Sequence, residues 1–405
     1  MAAMRTLACS AFVAALVVAV PAWADAPSGG ANALAQTRPI FEIRTRFEGV
    51  DQDGMAENAS ALTMRGHLGF ETGKLLGTAL LAEGEFVAPL QGHYNSTTNG
   101  RSQYPVVADP RTHEINRLQL TNESLPATTI VVGRQRIVLD DQRFVANVGW
   151  RQNEQTYDSV RVTTHPSARL TLDAAWISQV NRVFGTESPV GRYDGDSYVL
   201  NAGYKFPVGT LTGFVYSLDF NQAPRDSTRT GGFRFAGSHK THAAVVSYSA
   251  SWARQNDRGR NPLDLALDYY AFELAGTVRA VTFTAGEEVL EGNGVQGFAT
   301  PLATLHKFQG WADKFLTTPP DGVVDRYAAL AYTTKHVVWL ESVTLSVVAH
   351  EFLADRGSRN YGDETDLLLE GKRGKVKASL KAADYDAHRL ATDTRKYWAQ
   401  VEYVW

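Results

Sequence analysis

Arginines recur in this sequence at spacings that would place them on one face of an extended strand. Arg44 and Arg46 are separated by one residue, and so are Arg134 and Arg136. Alternate residues of a β-strand point to the same side, so each pair would project together. A guanidinium can bind a carboxylate through two parallel hydrogen bonds and is more weakly hydrated than an ammonium. These residues therefore favour a chemistry of anion recognition.

The segments around such residues alternate between apolar and polar side chains. Near the carboxyl-terminal end, Leu367 and Leu369 alternate with Asp366 and Glu370. A period of two predicts strands that have one apolar and one polar face. Eighteen such segments can be recognised, the first at residues 38–48, and clear helical periodicity is hard to find.

The connections between the predicted strands alternate between short turns and long polar segments. Residues 72–74, 165–167 and 207–209 are short turns, whereas 138–156 and 291–324 are long. A soluble β-sandwich has no reason to collect its long loops at one end. A barrel of the bacterial outer membrane does, with short periplasmic turns and long extracellular loops. The predicted fold is therefore all-β, a single transmembrane antiparallel β-barrel of about 18 strands surrounded by outer-membrane lipid.

The amino terminus has the pattern of a secretory signal peptide. Arg5 is its only charged residue, an apolar run from Leu7 to Val20 follows, and small residues precede the expected cleavage site. The single cysteine of the chain lies in this segment, so the exported protein would contain no thiol. The predicted organisation is a signal peptide at 1–24, a short periplasmic lead at 25–37 and a transmembrane β-barrel at 38–405.

The final predicted strand ends in an aromatic residue. Tyr397, Val401, Tyr403 and Trp405 share one parity, opposite to that of Gln400. This arrangement resembles the assembly signal of bacterial outer-membrane proteins, so we expect the barrel-assembly machinery to bind the strand that ends in Trp405. The formal net charge of −3 gives no indication of a nucleic-acid partner. No group of strands has an outer face unsuited to lipid, which favours a monomer.

In a membrane barrel the apolar parity must face lipid, so the polar parity faces the interior. A ring of arginines at a narrow point would select anions, and neighbouring carboxylates would keep binding weak enough for release. A simpler interpretation is that these charges only solvate the wall of a water-filled barrel. The arginines that we assign to the interior as binding residues are Arg44, Arg46, Arg65, Arg134, Arg136 and Arg161.

Two long segments are similar to a known family. Residues 133–158 read GRQRIVLDDQRFVANVGWRQNEQTYD, and residues 298–327 read FATPLATLHKFQGWADKFLTTPPDGVVDRY. Both resemble the alginate export family of outer-membrane porins, and the resemblance covers nearly the whole exported chain. It implies a barrel with an arginine- and lysine-lined constriction through which an anionic polysaccharide leaves the cell. To Arg134 and Arg136 the resemblance adds, as candidate site residues, Asp140, Asp141, Arg143 and Arg151. The two aspartates would either pair with arginines and orient them or form only a solvated turn.

The sequence thus predicts an anion-selective outer-membrane channel for an anionic polysaccharide, an oligosaccharide or a sugar acid. A fold of this type also serves other solutes, so a general or small-solute uptake porin is the alternative. An outer-membrane hydrolase is a minor alternative, because no catalytic pair can be placed in the sequence. We predict no enzymatic activity, no cofactor and no metal. Gly292, Gly294 and Gly297 match a dinucleotide-binding spacing but lack the helix that should follow.

Overall fold

The computed structural model describes residues 27–357 and 359–405, so the predicted signal peptide at 1–24 lies outside the described residues. One helix, α1 (Pro27–Ala35), precedes eighteen strands. The strands are β1 (Arg38–Gln52), β2 (Ala59–Glu71), β3 (Thr78–His93), β4 (Thr112–Asn122), β5 (Thr128–Gln135), β6 (Thr156–Ser167), β7 (Leu170–Asn181), β8 (Arg192–Phe206), β9 (Gly209–Ser217), β10 (Thr228–Lys240), β11 (Val245–Asp257), β12 (Ala266–Val278), β13 (Val281–Leu290), β14 (Val323–Val337), β15 (Leu340–Leu353), β16 (Asn360–Arg373), β17 (Val376–Ala387) and β18 (Thr394–Val404).

Every strand pairs with its neighbours in the sequence, and β1 also pairs with β18, which closes the sheet into a barrel. The closing register sets Arg44 opposite Glu402 and Arg46 opposite Gln400, and all pairings are antiparallel. A closed barrel satisfies the backbone hydrogen bonds of every strand without help from water. The predicted all-β barrel of 18 strands is thus confirmed.

The barrel exposes apolar side chains on its outer face and buries polar side chains inside, the reverse of a water-soluble protein. Leu367, Leu369, Leu380 and Val401 are 44–55% exposed on the outer face, whereas Asp366, the neighbour of Leu367, is fully buried inside. An outer surface of this kind is stable only in lipid, where apolar side chains are solvated by acyl chains. The barrel therefore spans a membrane, and its architecture places it in the bacterial outer membrane.

The connections follow the predicted alternation of length. The turns at one end of the barrel are short, as at residues 168–169, 207–208 and 374–375, and the connections at the other end are longer. In outer-membrane barrels the short turns face the periplasm and the long loops face outside. Three of the outer connections are much longer than the others, at residues 94–111, 136–155 and 291–322.

Some strands extend further at the outer end than their alternation predicts. β1 continues to Gln52, although the alternating pattern ends at residue 48, and Asp51 is exposed on its outer face. These ends lie beyond the apolar belt, where both faces of a strand can be polar. The sequence pattern therefore disappears before the hydrogen-bonded strand ends.

The segment before the barrel is partly helical, which was not predicted from the sequence. The carbonyl of Ala33 in α1 accepts a hydrogen bond of 2.9 Å from the backbone N–H of Gly73, in the turn between β2 and β3. A Cβ atom on Gly73 would lie only 2.7 Å from the Gln36 side chain, so glycine permits this close approach. No helix within the described residues combines the length and the apolar character needed to cross a membrane.

Candidate functional site

Three outer loops turn into the barrel interior instead of remaining above it. They are loop A (residues 94–111), loop B (residues 136–155) and loop C (residues 291–322), which we call together the diaphragm. Each loop contains completely buried residues, among them Asp109, Gln152 and Leu302. Loops B and C are joined directly, since the Ala146 N–H donates to the Leu302 carbonyl at 2.9 Å.

Arginines of β1 and β2 bind the carboxyl-terminal half of loop B. Arg44 Nε donates to Gln152 Oε1 and Arg44 Nη1 donates to the Gly149 carbonyl, both at 2.9 Å. Arg65 donates to the carbonyl of Arg151 and forms ion pairs with carboxylates of the barrel wall. Arg44 and Arg65 are 4% and 3% exposed. Their guanidinium groups bind the loop backbone, which leaves almost no surface for a solute.

Arg46 is enclosed completely. Its Cζ lies 3.9 Å from the ring centroid of Trp150 in loop B, and its Nε donates to Gln400 Oε1 at 2.9 Å. Arg46 Nη1 also lies 4.0 Å from Asp109 Oδ2 in loop A. This arginine therefore joins two loops of the diaphragm to the seam where the barrel closes.

Arg151 and Asp313 connect loops B and C to the wall. Arg151 Nη1 lies 3.3 Å from Glu48 Oε2 in β1, and Arg151 Nη2 lies 3.1 Å from Asp313 Oδ2 in loop C. Lys396 Nζ of β18 donates to the same Asp313 oxygen at 2.8 Å. Burial lowers the pKa of Arg151, but Glu48 and nearby aspartates raise it above its ordinary value overall. Arg151 and Asp313 are therefore both charged and form a buried ion pair.

His306 and Asp313 form a second contact within loop C. His306 Nδ1 lies 2.8 Å from Asp313 Oδ1, and Nε2 lies 2.9 Å from Lys381 Nζ. Burial, assisted by the Lys381 ammonium, holds the pKa of His306 well below its usual range. Burial alone would raise the pKa of Asp313, but Lys396, His306 and Arg151 together keep it well below its ordinary value. A neutral imidazole that donates to Asp313 and accepts from Lys381 fits this geometry.

The amino-terminal half of loop B contacts the opposite wall of the barrel. Arg143 is 1% exposed, and its Nε lies 2.8 Å from Glu288 Oε1 of β13. Its Cζ lies 4.7 Å from the ring centroid of Phe308 in loop C. Arg143 thus anchors loop B between the wall and loop C, where a solute has no access to it.

The two aspartates of loop B have different partners. Asp141 Oδ2 lies 3.1 Å from Arg234 Nε of β10, as the resemblance implies. Asp140 instead accepts from Asn201 Nδ2 at 2.7 Å and from the Tyr216 hydroxyl at 3.4 Å. Burial raises the pKa of Asp140 above its ordinary value, while the bond from Asn201 opposes that rise.

Arg136 and Arg161 keep accessible surface inside the barrel. Arg136 Nη2 donates to Glu154 Oε1 at 2.9 Å, and its side chain is 28% exposed. Arg161 Nη2 donates to Asp173 Oδ2 at 2.6 Å, and its side chain is 21% exposed. Arg161 is paired with one carboxylate and Arg136 with two, because Arg136 Nη2 also lies 3.5 Å from Glu83 Oε1. Both side chains still present accessible surface to the lumen.

Arg134 does not have the inward parity that was predicted. The register sets it opposite Leu118, a residue that is 46% exposed on the apolar outer face. Its Nε donates to Asp158 Oδ1 at 2.7 Å, and its Nη1 donates at 3.1 Å to the carbonyl of Ile115. Ile115 lies beyond the part of β4 that pairs with β5, so this guanidinium satisfies a carbonyl that the sheet leaves free. Arg136 follows the end of β5, and parity no longer governs its direction.

The structure therefore brings Arg44, Arg46, Arg65 and Arg151 together around loop B and separates Arg134 from them. Several residues of the diaphragm, and one residue of the wall that contacts it, were not predicted as site residues from the sequence. The available signal was the length of loops B and C, since long loops in compact domains are usually functional. The missed residues are Asp109, Trp150, His306, Asp313 and Lys381.

No protein-family model matches this sequence, and no curated protein matches it. Solved structures do match. OccAB4 of Acinetobacter baumannii has a TM-score of 0.70 at 14% identity, and OccK9 (OpdG) of Pseudomonas aeruginosa has 0.72 at 15%. OpdK of Pseudomonas aeruginosa, in a structure with vanillate, has a TM-score of 0.72 at 13% identity. Each comparison covers 92% of this chain and 99% of the other chain.

The fold is that of the Occ and Opd barrels. Identities of 13–15% establish the architecture and leave the transported solute open. The likeness supports an outer-membrane β-barrel, but it does not single out the alginate export family.

Proposed function

We propose that this chain is an outer-membrane porin that admits small anionic solutes, with carboxylates as the main class. The observation that carries this proposal is the packing of the diaphragm. It occupies the middle of the lumen and buries five of the arginines predicted to bind a solute, leaving each at most 8% exposed. The five are Arg44, Arg46, Arg65, Arg143 and Arg151.

A filled lumen favours small solutes over a polymer. A polysaccharide in transit occupies the whole length of a pore at once, so it needs a continuous accessible groove. Here the guanidinium groups of Arg44 and Arg65 bind the backbone of loop B. A small solute needs only a few contacts at a time, and Arg136 and Arg161 can supply them.

The charge and geometry of the accessible arginines favour carboxylates. Arg136 and Arg161 already bind carboxylates side-on, with two nitrogens each. A solute carboxylate can compete for the same geometry, and an existing partner lowers the net gain enough for release. Vanillate, present in the OpdK structure, is itself a small carboxylate. The proposal includes no catalytic role.

The test is flux through the purified protein in liposomes. We expect swelling in isotonic salts of small carboxylates to be several-fold faster than in neutral sugars of equal size. Arg161→Gln should reduce that preference. Arg395→Gln is the control and should not change it, because Arg395 lies on the outer face, where it pairs with Asp384. Equal rates for carboxylates and neutral sugars in the wild-type protein would contradict the proposal.

Export of an alginate-like polysaccharide is the second candidate, and one observation favours it. The two segments that resemble the alginate export family, 133–158 and 298–327, contain most of loops B and C. The resemblance therefore falls on the part of the chain that builds the diaphragm. The same liposomes distinguish the candidates, because passage of uronate oligomers would support export, whereas their exclusion together with rapid passage of monomeric carboxylates would support uptake.

A further inference from the structure

Three potential metal ligands meet where loop B touches the wall. They are His67 in β2, Glu85 in β3 and Glu154 in loop B. One nitrogen or oxygen of each lies within 4.8 Å of those of the other two. The three residues are 1%, 2% and 6% exposed, so the cluster is shielded from bulk water.

The carboxylate of Glu85 has an unusual set of neighbours. Within the described residues, no arginine or lysine nitrogen lies within 4.0 Å of it, although its acidic neighbours Glu83 and Glu154 both have arginine partners. Its contacts are His67 Nε2, at 2.5 Å, and the backbone N–H of Glu154, at 3.2 Å. A buried carboxylate needs a counter-charge, and coordination of a metal ion is one way to supply it.

The imidazole of His67 is oriented as a metal ligand would be. Its Nε2 faces Glu85, while its buried Nδ1 has no hydrogen-bond partner among the residues that the structure describes and lies 3.5 Å from Glu42 Oε2. Histidines that bind metals through one nitrogen usually donate from the other to a carboxylate. A small approach of Glu42 would complete that arrangement.

Glu154 can contribute without giving up its present partners. Arg136 contacts both of its oxygens, with Nε 2.5 Å from Oε2 and Nη2 2.9 Å from Oε1. Asn147 Nδ2 also donates to Oε2 at 3.5 Å, and Arg65 Nη1 lies 3.8 Å from Oε1. Each carboxylate oxygen has about two lone-pair positions, so Oε1, which accepts one hydrogen bond, retains acceptor capacity for a metal ion. Because Glu154 belongs to loop B, it would move with that loop.

We propose that His67, Glu85 and Glu154 bind one divalent transition-metal ion, such as Zn²⁺, that fastens loop B to strands β2 and β3. One nitrogen and two carboxylate oxygens form a ligand set suited to Zn²⁺, with a fourth position for water. Binding requires His67 Nε2 and Glu85 to separate from 2.5 Å to about 3.3 Å, the spacing of two ligands on a tetrahedral ion. The inference does not depend on which solute the pore carries.

The test is metal binding by the folded protein in detergent. Equilibrium dialysis with Zn²⁺ should give one ion per chain, and Co²⁺ should give the visible absorption of a coordinated site. His67→Ala and Glu85→Gln should each weaken binding at least tenfold, and Glu42→Gln by about 10–100-fold. His165→Ala, which alters a histidine near the periplasmic end of β6 that contacts Thr171, is the matched control and should bind normally.

Heat-modifiable gel mobility establishes that each variant is folded, so a loss of binding is not a loss of the barrel. The proposal is overturned if the wild-type protein binds no Zn²⁺ or Co²⁺. It is also overturned if the His67→Ala and Glu85→Gln variants both bind as tightly as the His165→Ala control.

Discussion

The indole of Trp150 and the imidazole of His306 lie face to face, with ring centroids 4.0 Å apart and planes inclined by 5°. Trp150 belongs to loop B and His306 to loop C, so this stack joins the two longest loops of the barrel. Arg46 adds a cation–π contact to the same indole at 3.9 Å. The position of each loop therefore depends on the other and on the strand that carries Arg46.

Removing the indole should loosen the diaphragm. Trp150→Ala deletes the stack with His306 and the cation–π contact with Arg46, and such contacts contribute about 0.5–2 kcal/mol each. We expect a larger single-channel conductance with more frequent current fluctuations in planar bilayers. Trp176→Ala, which removes an indole 39% exposed on the outer face, is the control and should leave the conductance unchanged. Identical traces for all three proteins would show that the stack does not set the pore width.

Acidification should weaken the docking of loop C. The pKa of docked His306 is lowered, whereas an undocked histidine has a pKa near 6.5. Below about pH 6.5 His306 is protonated when loop C is undocked but stays neutral when the loop is docked. Docking of loop C therefore becomes less favourable as the pH falls. Asp313, whose docked pKa is also lowered, acts in the same direction below about pH 4.

The measurement is conductance between pH 8 and pH 4. We expect constant values above pH 7 and a rise below about pH 6.5. His306→Asn should remove the upper part of the rise and leave the part near pH 4. A wild-type conductance that falls on acidification would contradict the assignment of a neutral, docked His306.

Selectivity should respond to the arginines that remain accessible. Arg136→Gln removes a positive charge from the lumen, so the reversal potential in a salt gradient should shift toward cations. Arg395→Gln removes the same charge from the outer face, where its side chain is 60% exposed, and should produce no shift. Arg134→Gln should also have little effect, because its outward parity separates it from the pore. A larger shift for Arg134→Gln than for Arg136→Gln would reverse this assignment.

Neighbouring strand residues of opposite parity should differ in their tolerance of charge. Leu369 faces lipid and is 44% exposed, so Leu369→Arg should cost about 2–4 kcal/mol if it lies near the bilayer midplane. Lys377 lies on the inner face of β17 and pairs with Glu370 at 2.8 Å. Lys377→Glu should fold normally and alter only conduction. The measurement is the fraction of each variant that folds into liposomes, determined by gel mobility. Equal folded fractions for Leu369→Arg and Lys377→Glu would contradict the assigned register.

The strands were predictable because lipid imposes a strict alternation on them. All eighteen predicted segments correspond to strands, and the outward positions of Leu369, Leu380 and Val401 follow from parity alone. The inward assignment of Arg134 was wrong, although the alternation itself holds there. Arg134 is paired on both sides, with Leu118 and Asp158, and has the same outward parity as the apolar Ile130 and Val132 of β5. A charged residue type is therefore a poorer guide to the face than the parity of its apolar neighbours.

The packing of the lumen was not predictable by this reasoning. Arg44 is inward as expected, but its partner Gln152 lies 108 residues away in a loop with no periodic pattern. Nothing near Arg46 in the sequence indicates that Trp150 and Asp109 will cover it. An inward arginine can therefore line a pore or support a loop, and only the tertiary structure distinguishes the two.

The pairing of β1 with β18 has a consequence for the order of folding. Arg46 contacts Gln400, and Lys396 contacts Asp313, so residues of the last strand help to hold the loops. These contacts cannot form until the last strand of the chain has joined the first. The diaphragm would therefore reach its final packing only after the wall is complete, so closure of the barrel and completion of its interior would be one step of assembly.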